Sequence, residues 1–415
     1  MLSSGLDSIR QRLGKWFFAH FFSLLLIAVS TAQAGVVWWI ARSWWPLGGA
    51  WFVFGALLAF AFNRWWIRRR PSWQRAPVDR LPRLYHAAVF TCLFCGIWLL
   101  ANHSLWAVVS LAHHFLTAEA RGLNGSGSPA HLWQAMARFT GWSGLAAISA
   151  LFAWGYTFGQ RSLRVTREVV RSHKLPERFP GLRILQLSDI HVGTNMTTAQ
   201  LAAFVARANA LHPDLVCITG DIADNAGSDL DLYFPILGRL EARLGVVAIL
   251  GNHDHYAGAD RVAAALARHT SFHVLRDAVL PVEVGGTRLW VIGLDDRGRD
   301  WARGLPEVPQ LEALVRSLPP EQPKLLLVHR PDLFPHAARL GIDLVLSGHT
   351  HGGQLALPGF GRKPLGLARF ITRFDRGRFE RDGSTLYVNC GLGVTGQRIR
   401  LFTPREMTLL ELRAA

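Results

Sequence analysis

The sequence predicts a protein of two parts, a module of four membrane-spanning helices followed by an α/β domain. Three observations predict this division. The first 161 residues contain four long stretches without Asp, Glu, Lys or Arg. Residues 1–183 hold 20 of the 45 Lys and Arg but only 5 of the 29 acids, whereas the remainder is nearly neutral. After Arg183, short apolar runs that end in polar clusters alternate with helical segments.

The composition excludes several classes of protein. Half of the 415 residues are hydrophobic and 18% are charged, which excludes an ordinary soluble protein, a disordered chain and a pure membrane channel. The formal charge of +16 is concentrated beside the apolar stretches, so the expected partner is the membrane lipid bilayer with its anionic headgroups. Basic residues do not alternate with aromatic ones as in proteins that bind single strands, so we expect no nucleic acid partner.

Each uncharged stretch is long enough to cross a bilayer, because about 20 helical residues span the ~30 Å hydrocarbon layer. We predict four spans within residues 1–160, at 16–41, 43–63, 87–112 and 139–160. Small residues at 30–34 resemble a signal-peptide cleavage site. The apolar run continues to Ile40, however, which favours a span over a processed leader.

The distribution of positive residues predicts the orientation. Seventeen Lys and Arg lie in the amino-terminal tail, in the loop after the second span and in the segment after the fourth, against three in the other two loops. Positive residues are enriched on the cytoplasmic side. We therefore predict a multi-pass protein of the cell (inner) membrane with both termini in the cytoplasm. Residues 161–180 are predicted to form a basic linker and 181–415 a separate cytoplasmic domain.

In the second part, polar side chains follow five short apolar runs, as expected for strands that are buried on both faces. The runs lie at 182–187, 215–219, 246–250, 325–328 and 344–346. Helical patterns between them, such as 197–211 with Thr197 or Thr198 as N-cap, predict an α/β domain whose strand ends share one edge. The polar side chains after the runs are Asp189, His191, Asp221, Asn252, His329, His349 and His351.

These seven side chains predict a metal site. Imidazole, carboxylate and amide groups without a thiolate suit Mn, Fe, Zn or similar divalent ions and disfavour a structural zinc. Alternate residues of an extended segment share a face, so Asp189 should point the same way as His191. Seven ligands suit two ions that share a carboxylate and that can bind a phosphate and activate water. Three adjacent glycines suit tight turns beside the ligands, namely Gly220, Gly251 and Gly348.

Five motifs, in order, resemble those of the calcineurin-like metallophosphoesterases over about residues 181–413. They are Asp-x-His, Gly-Asp, Gly-Asn-His-Asp, a lone His after a strand, and Gly-His-Thr-His. The longer run Ser-Gly-His-Thr-His-Gly-Gly-Gln at 347–354 is similar to a branch with membrane-anchored bacterial phosphoesterases and hydrolases that cleave UDP-2,3-diacylglucosamine. The resemblance implies a β-sandwich flanked by helices, and hydrolysis of a phosphodiester or pyrophosphate bond by a metal-bound hydroxide.

The resemblance also implies a role for each residue. The first divalent ion would be bound by Asp189, His191, Asp221 and His351. The second would be bound by Asp221, which bridges the two, together with Asn252, His329 and His349. His253 would protonate the leaving oxygen or bind the phosphoryl oxygens, and Asp254 would orient its imidazole and favour the charged form.

Segment 358–383 is rich in Arg and Phe and follows the last predicted ligands directly. We expect its Arg369 and Arg373 to bind an anionic substrate and the segment to rest on the membrane surface. A solvent-exposed β-ribbon is the alternative. Because membrane residence concentrates lipids, we favour a phosphorylated small-molecule substrate on a lipid or nucleotide–lipid.

Two functions of other classes remain open. In one, the protein is a membrane sensor or transport-associated protein whose phosphoesterase domain is regulatory. In the other, it is a non-catalytic scaffold. Spans without paired charges disfavour transport, and the complete set of predicted ligands disfavours a scaffold.

Overall fold

The computed structural model describes residues 2–69, 80–118, 130–193, 195–296, 307–359 and 364–415. They form two compact units, of which the second runs from Trp154 to Ala415. The described part of the first unit is helical, and the strands of the described chain lie in the second unit.

Four long helices account for the amino-terminal part, and the last of them ends in the second unit. Helix is the form that satisfies every backbone polar group without water, as an apolar span requires. The helices are α1 (Leu2–Arg42), α2 (Gly49–Arg69), α3 (Arg80–Ala118) and α4 (Ala130–Thr157). Stretches of three of them are long and apolar enough to cross a membrane, at Phe22–Arg42, Gly49–Arg68 and Arg83–Leu116.

The fourth predicted span, 139–160, corresponds to the second half of α4 but is not among these three stretches. Its uncharged run includes aromatic and hydroxyl-bearing residues such as Trp142, Ser143 and Tyr156, which lower its mean hydropathy. Three spans would place the two termini on opposite sides of the membrane and four would place them on the same side. The fourth span and the cytoplasmic orientation therefore remain predictions.

Hydrogen bonds between neutral side chains connect the helices of the first unit. The amide of Asn63 in α2 donates to Ser30 at 2.9 Å and to Gln33 at 2.7 Å, both in α1. The hydroxyl of Thr140 in α4 donates to Asn102 in α3 at 2.6 Å. Interhelical hydrogen bonds of this kind contribute to helix association where the hydrophobic effect between helices is absent.

The second unit contains two six-stranded sheets. In spatial order, the first sheet contains β1 (Leu163–Ser172), β14 (Arg405–Ala414), β2 (Leu182–Leu187), β3 (Leu215–Thr219), β4 (Val246–Ile249) and β5 (His273–Val274). The second contains β12 (Gly377–Arg381), β13 (Ser384–Val388), β9 (Leu344–Ser347), β8 (Lys324–Leu327), β7 (Thr287–Gly293) and β6 (Ala278–Val284). A hairpin of β10 (Ala356–Leu357) and β11 (Leu365–Gly366) stands apart from both sheets.

Helices cover the outer faces of the sheets. Those of the first sheet are α5 (Thr198–Asn209), α6 (Leu230–Leu237), α7 (Asn252–Ala257) and α8 (Ala259–His269), and those of the second are α9 (Pro309–Arg316) and α10 (Phe334–Arg339). Between the sheets lies a buried apolar core that includes Ile184, Cys217, Leu325 and Leu346. The predicted α/β sandwich flanked by helices is confirmed.

The direction of the strands explains why polar groups gather at one edge. The neighbours β2, β3 and β4 are parallel, as are β7, β8, β9 and β13. The carboxyl ends of parallel strands lie at the same edge, so the loops that follow them converge there. The predicted N-cap also forms, since Thr197 accepts a hydrogen bond from the amide of Gln200 at 3.1 Å.

Residues 161–180 are not the linker that the sequence predicts. Leu163–Ser172 forms edge strand β1, which pairs in parallel with β14 over its whole length. Three of its exposed residues are arginines, Arg164, Arg167 and Arg171, as on a solvated edge strand, and such a composition is also typical of a polar linker. The phosphoesterase unit therefore begins before residue 181.

The last turn of α4 packs inside the second unit. The indole of Trp154 stacks on Phe402 with ring centroids 5.9 Å apart. Gly155 lies so close to Ile399 and Leu401 that a Cβ at this position would collide with both side chains. The segment 399–402, which packs on the last turn of α4, thus directly precedes β14, the strand between β1 and β2 in the first sheet.

Candidate metal centre

The structure brings the predicted ligands together at the carboxyl ends of β2, β3, β4, β8 and β9. Three groups of side chains each have ligand atoms within 4.8 Å of one another. They are Asp189 with His191 and His351, His191 with Asp221 and His253, and Asp221 with His329 and His349. Asn252 occupies the first position of α7 and is 5% exposed.

In the first group, two imidazoles and a carboxylate direct their ligand atoms toward one another. The Nε2 atoms of His191 and His351 are 3.1 Å apart, and Oδ1 of Asp189 is 3.4 Å from Nε2 of His351. All three side chains are buried. Two ring nitrogens and a carboxylate oxygen that face one another in this way form a donor set for one cation.

The carboxylate of Asp221 belongs to the second and third groups, and through His191 it adjoins the first. Oδ2 of Asp221 lies 3.2 Å from Nε2 of His329 and 3.6 Å from Nε2 of His191. The rings of His329 and His349 meet edge to face at 5.1 Å. Nδ1 of His329 lies 2.8 Å from the carbonyl of Thr219, which fixes the ring and leaves Nε2 toward the centre. Asp221 therefore stands between His191 of the first group and His329 of the third.

The backbone at the ligands is not extended, contrary to the expectation for Asp189 and His191. Five predicted ligands have positive φ angles, namely Asp189 (49°), His191 (51°), Asp221 (52°), His349 (69°) and His351 (50°). The left-handed region is unfavourable for residues with a side chain, and such residues cluster at functional sites. Tight turns, rather than the alternation of a strand, direct these side chains toward one another.

Close approach of the loops explains the adjacent glycines. Gly220 has a φ of +90°, and a Cβ there would lie 2.7 Å from the amide nitrogen of Gly251 and 2.8 Å from Nδ1 of His329. A Cβ on Gly348 would collide with the side chains of Ser188 and Asp189. The backbone therefore fills the space behind the ligands, and no other residue fits without moving them.

Electrostatics hold two of the imidazoles neutral. Burial, together with the neighbouring His329 and Arg330, lowers the pKa of His349 to about 3. Burial, with His191 and Arg400 nearby, lowers the pKa of His351 well below its ordinary value. A neutral imidazole is the form that binds a metal ion.

The pKa values of two carboxylates and one further imidazole are also shifted, by burial and by one another. Burial alone would raise the pKa of Asp221, but the imidazoles of His329, His253 and His191 hold it well below its ordinary value. Burial alone would lower the pKa of His329, but the carboxylate of Asp221 raises it to about 10. Burial raises the pKa of Asp189. The ionised carboxylate of Asp221 thus stabilises positive charge in the centre, whether it is a proton on His329 or a bound cation.

One buried atom tests whether these residues fit a cation. Oδ1 of Asn252 is buried, and no hydrogen-bond donor reaches it among the residues that the structure describes. A buried amide oxygen without a donor is unfavourable unless an ion or water satisfies it. Oxygen and nitrogen ligands without sulfur suit a divalent ion such as Mn, Fe or Zn. The residues present therefore fit a divalent cation.

His253 lies at the rim of the centre, but Asp254 does not orient it as the resemblance implies. The carboxylate of Asp254 is buried and accepts hydrogen bonds from the backbone amides of Ala223, Gly251 and Ile222, at 2.8, 2.9 and 3.2 Å. It therefore connects two ligand loops. Nδ1 of His253 instead donates a hydrogen bond of 2.7 Å to the carbonyl oxygen of Asp224. Nε2 is therefore the ring nitrogen that takes no part in this bond.

The carboxylate of Asp224 also lies near the centre, with Oδ1 3.4 Å from Nδ1 of His191. In the sequence this residue resembles a helix cap. The signal that could have identified it is its position, three residues after Asp221 in the same loop.

Sequence reasoning missed Arg400, which is fully buried behind the first group. Its Nη2 donates to the carbonyls of Cys390 and Gly393, at 2.8 and 2.7 Å, and lies 3.4 Å from Nδ1 of His351. The same loop contains Gly391, where a Cβ would lie 2.7 Å from the Cβ of Asp189. No local pattern identifies this arginine, because its position behind the first group depends on His351, which is 49 residues away.

The adjacent acids after β7 also have partners. Asp295 forms ion pairs with His255 at 2.7 Å and with Arg276 at 2.8 Å, whereas Asp296 pairs with the buried Arg330 at 2.8 Å. A carboxylate pair after a strand predicts only a polar turn. The structure places these acids in ion pairs that join the loops around the centre.

The predicted substrate-binding arginines lie on the segment after His351. Arg369 belongs to the 3₁₀ turn Leu367–Phe370, and its guanidinium lies 3.5 Å from Asp375. The guanidinium of Arg373 lies over the ring of Phe374 at 4.9 Å. Substrate binding by the two arginines remains a prediction.

Comparison with known proteins agrees with this geometry. The profile of the calcineurin-like phosphoesterase family matches residues 182–353. The metallophosphoesterase YkuE of Bacillus subtilis is 30% identical over 66% of this chain and 96% of its own length. A transmembrane protein with metallophosphoesterase domain from Bos taurus is 32% identical over 60% of this chain and 57% of its own length. The UDP-2,3-diacylglucosamine pyrophosphatase LpxG of Chlamydia trachomatis is 28% identical over 64% of this chain and 94% of its own length.

The three long apolar helices and the transmembrane relative indicate a membrane protein. The family match and the His and Asp clusters indicate an enzyme that hydrolyses phosphoester bonds with the help of metal. The chain therefore belongs to the calcineurin-like metallophosphoesterase family.

Proposed function

We propose that this protein is a membrane-bound phosphoesterase that binds two divalent cations and hydrolyses a phosphodiester or pyrophosphate bond. The first cation would be bound by Asp189, His191, Asp221 and His351. The second would be bound by Asp221, Asn252, His329 and His349. We further propose that the substrate is linked to a lipid and is hydrolysed on the cytoplasmic side.

The position of Asp221 is the observation that carries the proposal of two cations. One oxygen of its carboxylate, Oδ2, is within 3.6 Å of an imidazole nitrogen from each group of ligands. A single carboxylate that faces two sets of donors is the arrangement expected of a bridging ligand. The seven donors also exceed what one tetrahedral ion requires.

When bound at these residues, two divalent ions would supply an activated water near neutral pH and positive charge for the phosphoryl oxygens. The chain itself supplies the rest of the chemistry. Nδ1 of His253 donates a hydrogen bond to the carbonyl of Asp224, which orients the ring so that Nε2 can give a proton to the leaving oxygen. The buried loops of the centre exclude bulk water from the ligands, which strengthens each electrostatic contact.

Two observations support a lipid-linked substrate. The chain has three stretches that are long and apolar enough to cross a membrane, whereas one would anchor the enzyme. The relative LpxG is named as a pyrophosphatase of UDP-2,3-diacylglucosamine, a nucleotide–lipid. We infer that Arg369 and Arg373, on the segment that follows the ligands, bind the anionic part of such a substrate.

Metal stoichiometry and activity of the purified full chain in lipid nanodiscs test the proposal. Elemental analysis is expected to find two divalent ions per chain in the wild type and at most one in Asp221→Ala, with loss of activity. Asp231→Asn, which changes an exposed acid on α6, serves as the control and should keep both ions. One ion per chain in the wild type, or two in Asp221→Ala, would overturn the bridging role.

A panel of esters tests the substrate. We expect hydrolysis of phosphodiesters and pyrophosphates to exceed that of monoesters, and lipid-linked esters to exceed soluble ones with the same leaving group. The double variant Arg369→Glu/Arg373→Glu should lose more activity on the lipid-linked ester than on the soluble one. Arg316→Glu, an exposed arginine on α9, is the matched control. Equal loss on both esters would contradict the role of the two arginines.

A further inference from the structure

An exposed apolar surface lies on the segment that follows the metal-binding turn. We call it the rim patch and define it by Leu357, Leu365, Leu367, Phe370 and Ile371. Phe370 is 77% exposed and Leu357 is 64% exposed. Adjacent large apolar side chains with this exposure are unfavourable in water and mark a surface that binds a partner.

Local structure places the members of the patch side by side. Leu357 and Leu365 are directly opposite in the antiparallel hairpin of β10 and β11, so their side chains share one face. Leu367 and Phe370 are three residues apart in a 3₁₀ turn, where such positions eclipse each other. The exposed apolar side chains of the rim patch therefore lie in two adjacent pairs rather than singly.

The patch is attached directly to the metal centre. A Cβ on Gly353 would lie 2.6 Å from the amide nitrogen of Leu367, which shows how closely this turn packs against the one that follows His351. Gly366 lies against the carbonyl of Gly352 in the same way. Any surface that the patch contacts therefore lies beside the ligand turn.

The patch is also close to the end of a long apolar helix. The amide of Ala356 donates to the carbonyl of Leu401 at 3.0 Å, and the side chain of Leu401 packs on Gly155 in the last turn of α4. Near this helix end, Trp154 and Phe158 are also exposed. Aromatic residues at the end of an apolar helix favour the membrane interface.

The charge of the segment complements an anionic surface. The exposed guanidinium of Arg369 and the neighbouring Arg373 are interleaved with Phe370 and Ile371 in the sequence. Basic and apolar side chains on one short segment combine electrostatic attraction to headgroups with burial of apolar area.

We propose that the rim patch is inserted into the surface of the bilayer, at the boundary of anionic phospholipid headgroups and acyl chains. This contact holds the metal centre at the level of the headgroups, where phosphate esters of lipids lie. The inference goes beyond the proposed function, since docking on the bilayer does not require any particular substrate. A second copy of the chain is the other occupant that the test must distinguish.

Fluorescence from a labelled cysteine tests the docking in the full chain. Phe370→Cys carries an environment-sensitive nitrobenzoxadiazole label, and Leu232→Cys, at an exposed leucine on α6, carries the same label as the control. Labelled wild type corrects for the native cysteines. The nanodiscs contain phosphatidylglycerol and phosphatidylcholine, with or without a nitroxide-bearing lipid whose quencher lies about 5–10 Å below the headgroups. Hydrolysis of a soluble aryl phosphodiester is measured for every sample.

The label at 370 is expected to be quenched at least about twofold, whereas the label at 232 is unaffected. Addition of Leu367→Asp to the Phe370→Cys chain should reduce the quenching without reducing soluble phosphodiesterase activity. Equal quenching at 370 and 232 would overturn the proposal, as would cross-linking between copies through position 370 without lipid quenching. Absence of activity in all samples would refute the proposed function but would leave the docking result readable.

Discussion

The backbone N–H of His253 donates a hydrogen bond of 2.8 Å to Oδ1 of Asp221. The other oxygen of this carboxylate faces His329. One side chain therefore contacts both the ligands of the centre and the backbone of the residue that we propose as the general acid. This bond joins the loop after β3 to the first turn of α7. It therefore fixes the position of His253 relative to Asp221.

Replacement of His253 should separate acid catalysis from metal binding. General acid catalysis typically contributes about 10²–10⁴-fold, so His253→Ala is expected to lose activity by this factor on alkyl esters. The loss should be smaller on nitrophenyl esters, because their leaving oxygen needs little protonation. Metal content should not change. The matched control is His269→Ala, at a histidine on α8 that pairs with Asp231, and it should retain activity. Equal losses on both classes of ester would contradict the role of His253 as an acid.

The glycine behind Asp189 should be irreplaceable. In Gly348→Ala, the new Cβ collides with Asp189 and Ser188, so we expect a loss of bound metal and of activity. Overpacking of this kind costs about 1–3 kcal/mol of folding free energy. Gly286→Ala is the control. Gly286 has a φ of +79°, and a Cβ added there would have no neighbour within 4 Å. It should show a strain cost without loss of metal. Full metal content in Gly348→Ala would refute the close approach.

Removal of metal should lower the thermal stability of the full chain. A ligand that binds only the folded state at 100 times its Kd stabilises it by about 2.7 kcal/mol. A chelator is therefore expected to lower Tm, and Mn²⁺ or Zn²⁺ should restore it. Ca²⁺ should not, since it prefers sites made of oxygen ligands and the centre is rich in imidazole. Restoration by Ca²⁺ at equal concentration would contradict the assigned ligand set.

The pair of Asp295 and His255 should make stability depend on pH. The hydrogen bond that His255 donates to the carboxylate of Asp295 raises the pKa of His255. Burial alone would raise the pKa of Asp295, but His255 and Arg276 lower it. The stabilisation from His255 is thus fully present below its ordinary pKa of about 6.5 and declines as pH rises through the raised value.

Asp295→Asn tests this dependence. The difference in Tm between wild type and Asp295→Asn should be largest near pH 5 and should shrink toward pH 9, with a remainder from the pairing with Arg276. Glu283→Gln removes an exposed partner of Arg288 and should show a difference that is constant over this range. A Tm difference for Asp295→Asn that grows with pH would reverse the predicted sign.

Reporter fusions should decide the number of spans. Four spans place the amino terminus and the phosphoesterase unit together in the cytoplasm, as the positive residues predict. A fluorescent protein that folds only in the cytoplasm should therefore be bright at either terminus, and an alkaline phosphatase that requires export should be inactive at both. Fusions that report opposite sides would indicate three spans, and the fusion at the carboxyl terminus would then show on which side of the membrane the metal centre lies.

Much of the candidate metal centre could be predicted from the sequence because the predicted ligands follow the ends of strands. Asp189, Asp221 and His329 each follow a buried apolar run, and parallel strands bring such ends to one edge of a sheet. The physical reason given for the convergence of Asp189 and His191 was nevertheless wrong. Left-handed turns rather than extended backbone aim these side chains, and no residue pattern distinguishes the two.

The edge strand and the supporting contacts could not be predicted. Leu163–Ser172 has the composition of a linker, and only its pairing with β14, more than 200 residues away, makes it a strand. The contacts of Arg400 with His351 and of Asp254 with Ala223 likewise join residues that are distant in sequence.

The sequence by itself determined the division into an apolar helical part and an α/β part, the sheet edge at which the candidate ligands gather and the chemical type of those side chains. These properties follow from local hydrophobic patterns and from side-chain chemistry. Only the tertiary structure decided which atoms face one another, that Asp254 supports the backbone while Asp224 contacts His253, and that the apolar rim patch adjoins the ligand turn. Such relationships depend on the packing of distant segments, and a local pattern carries no information about distances across the fold.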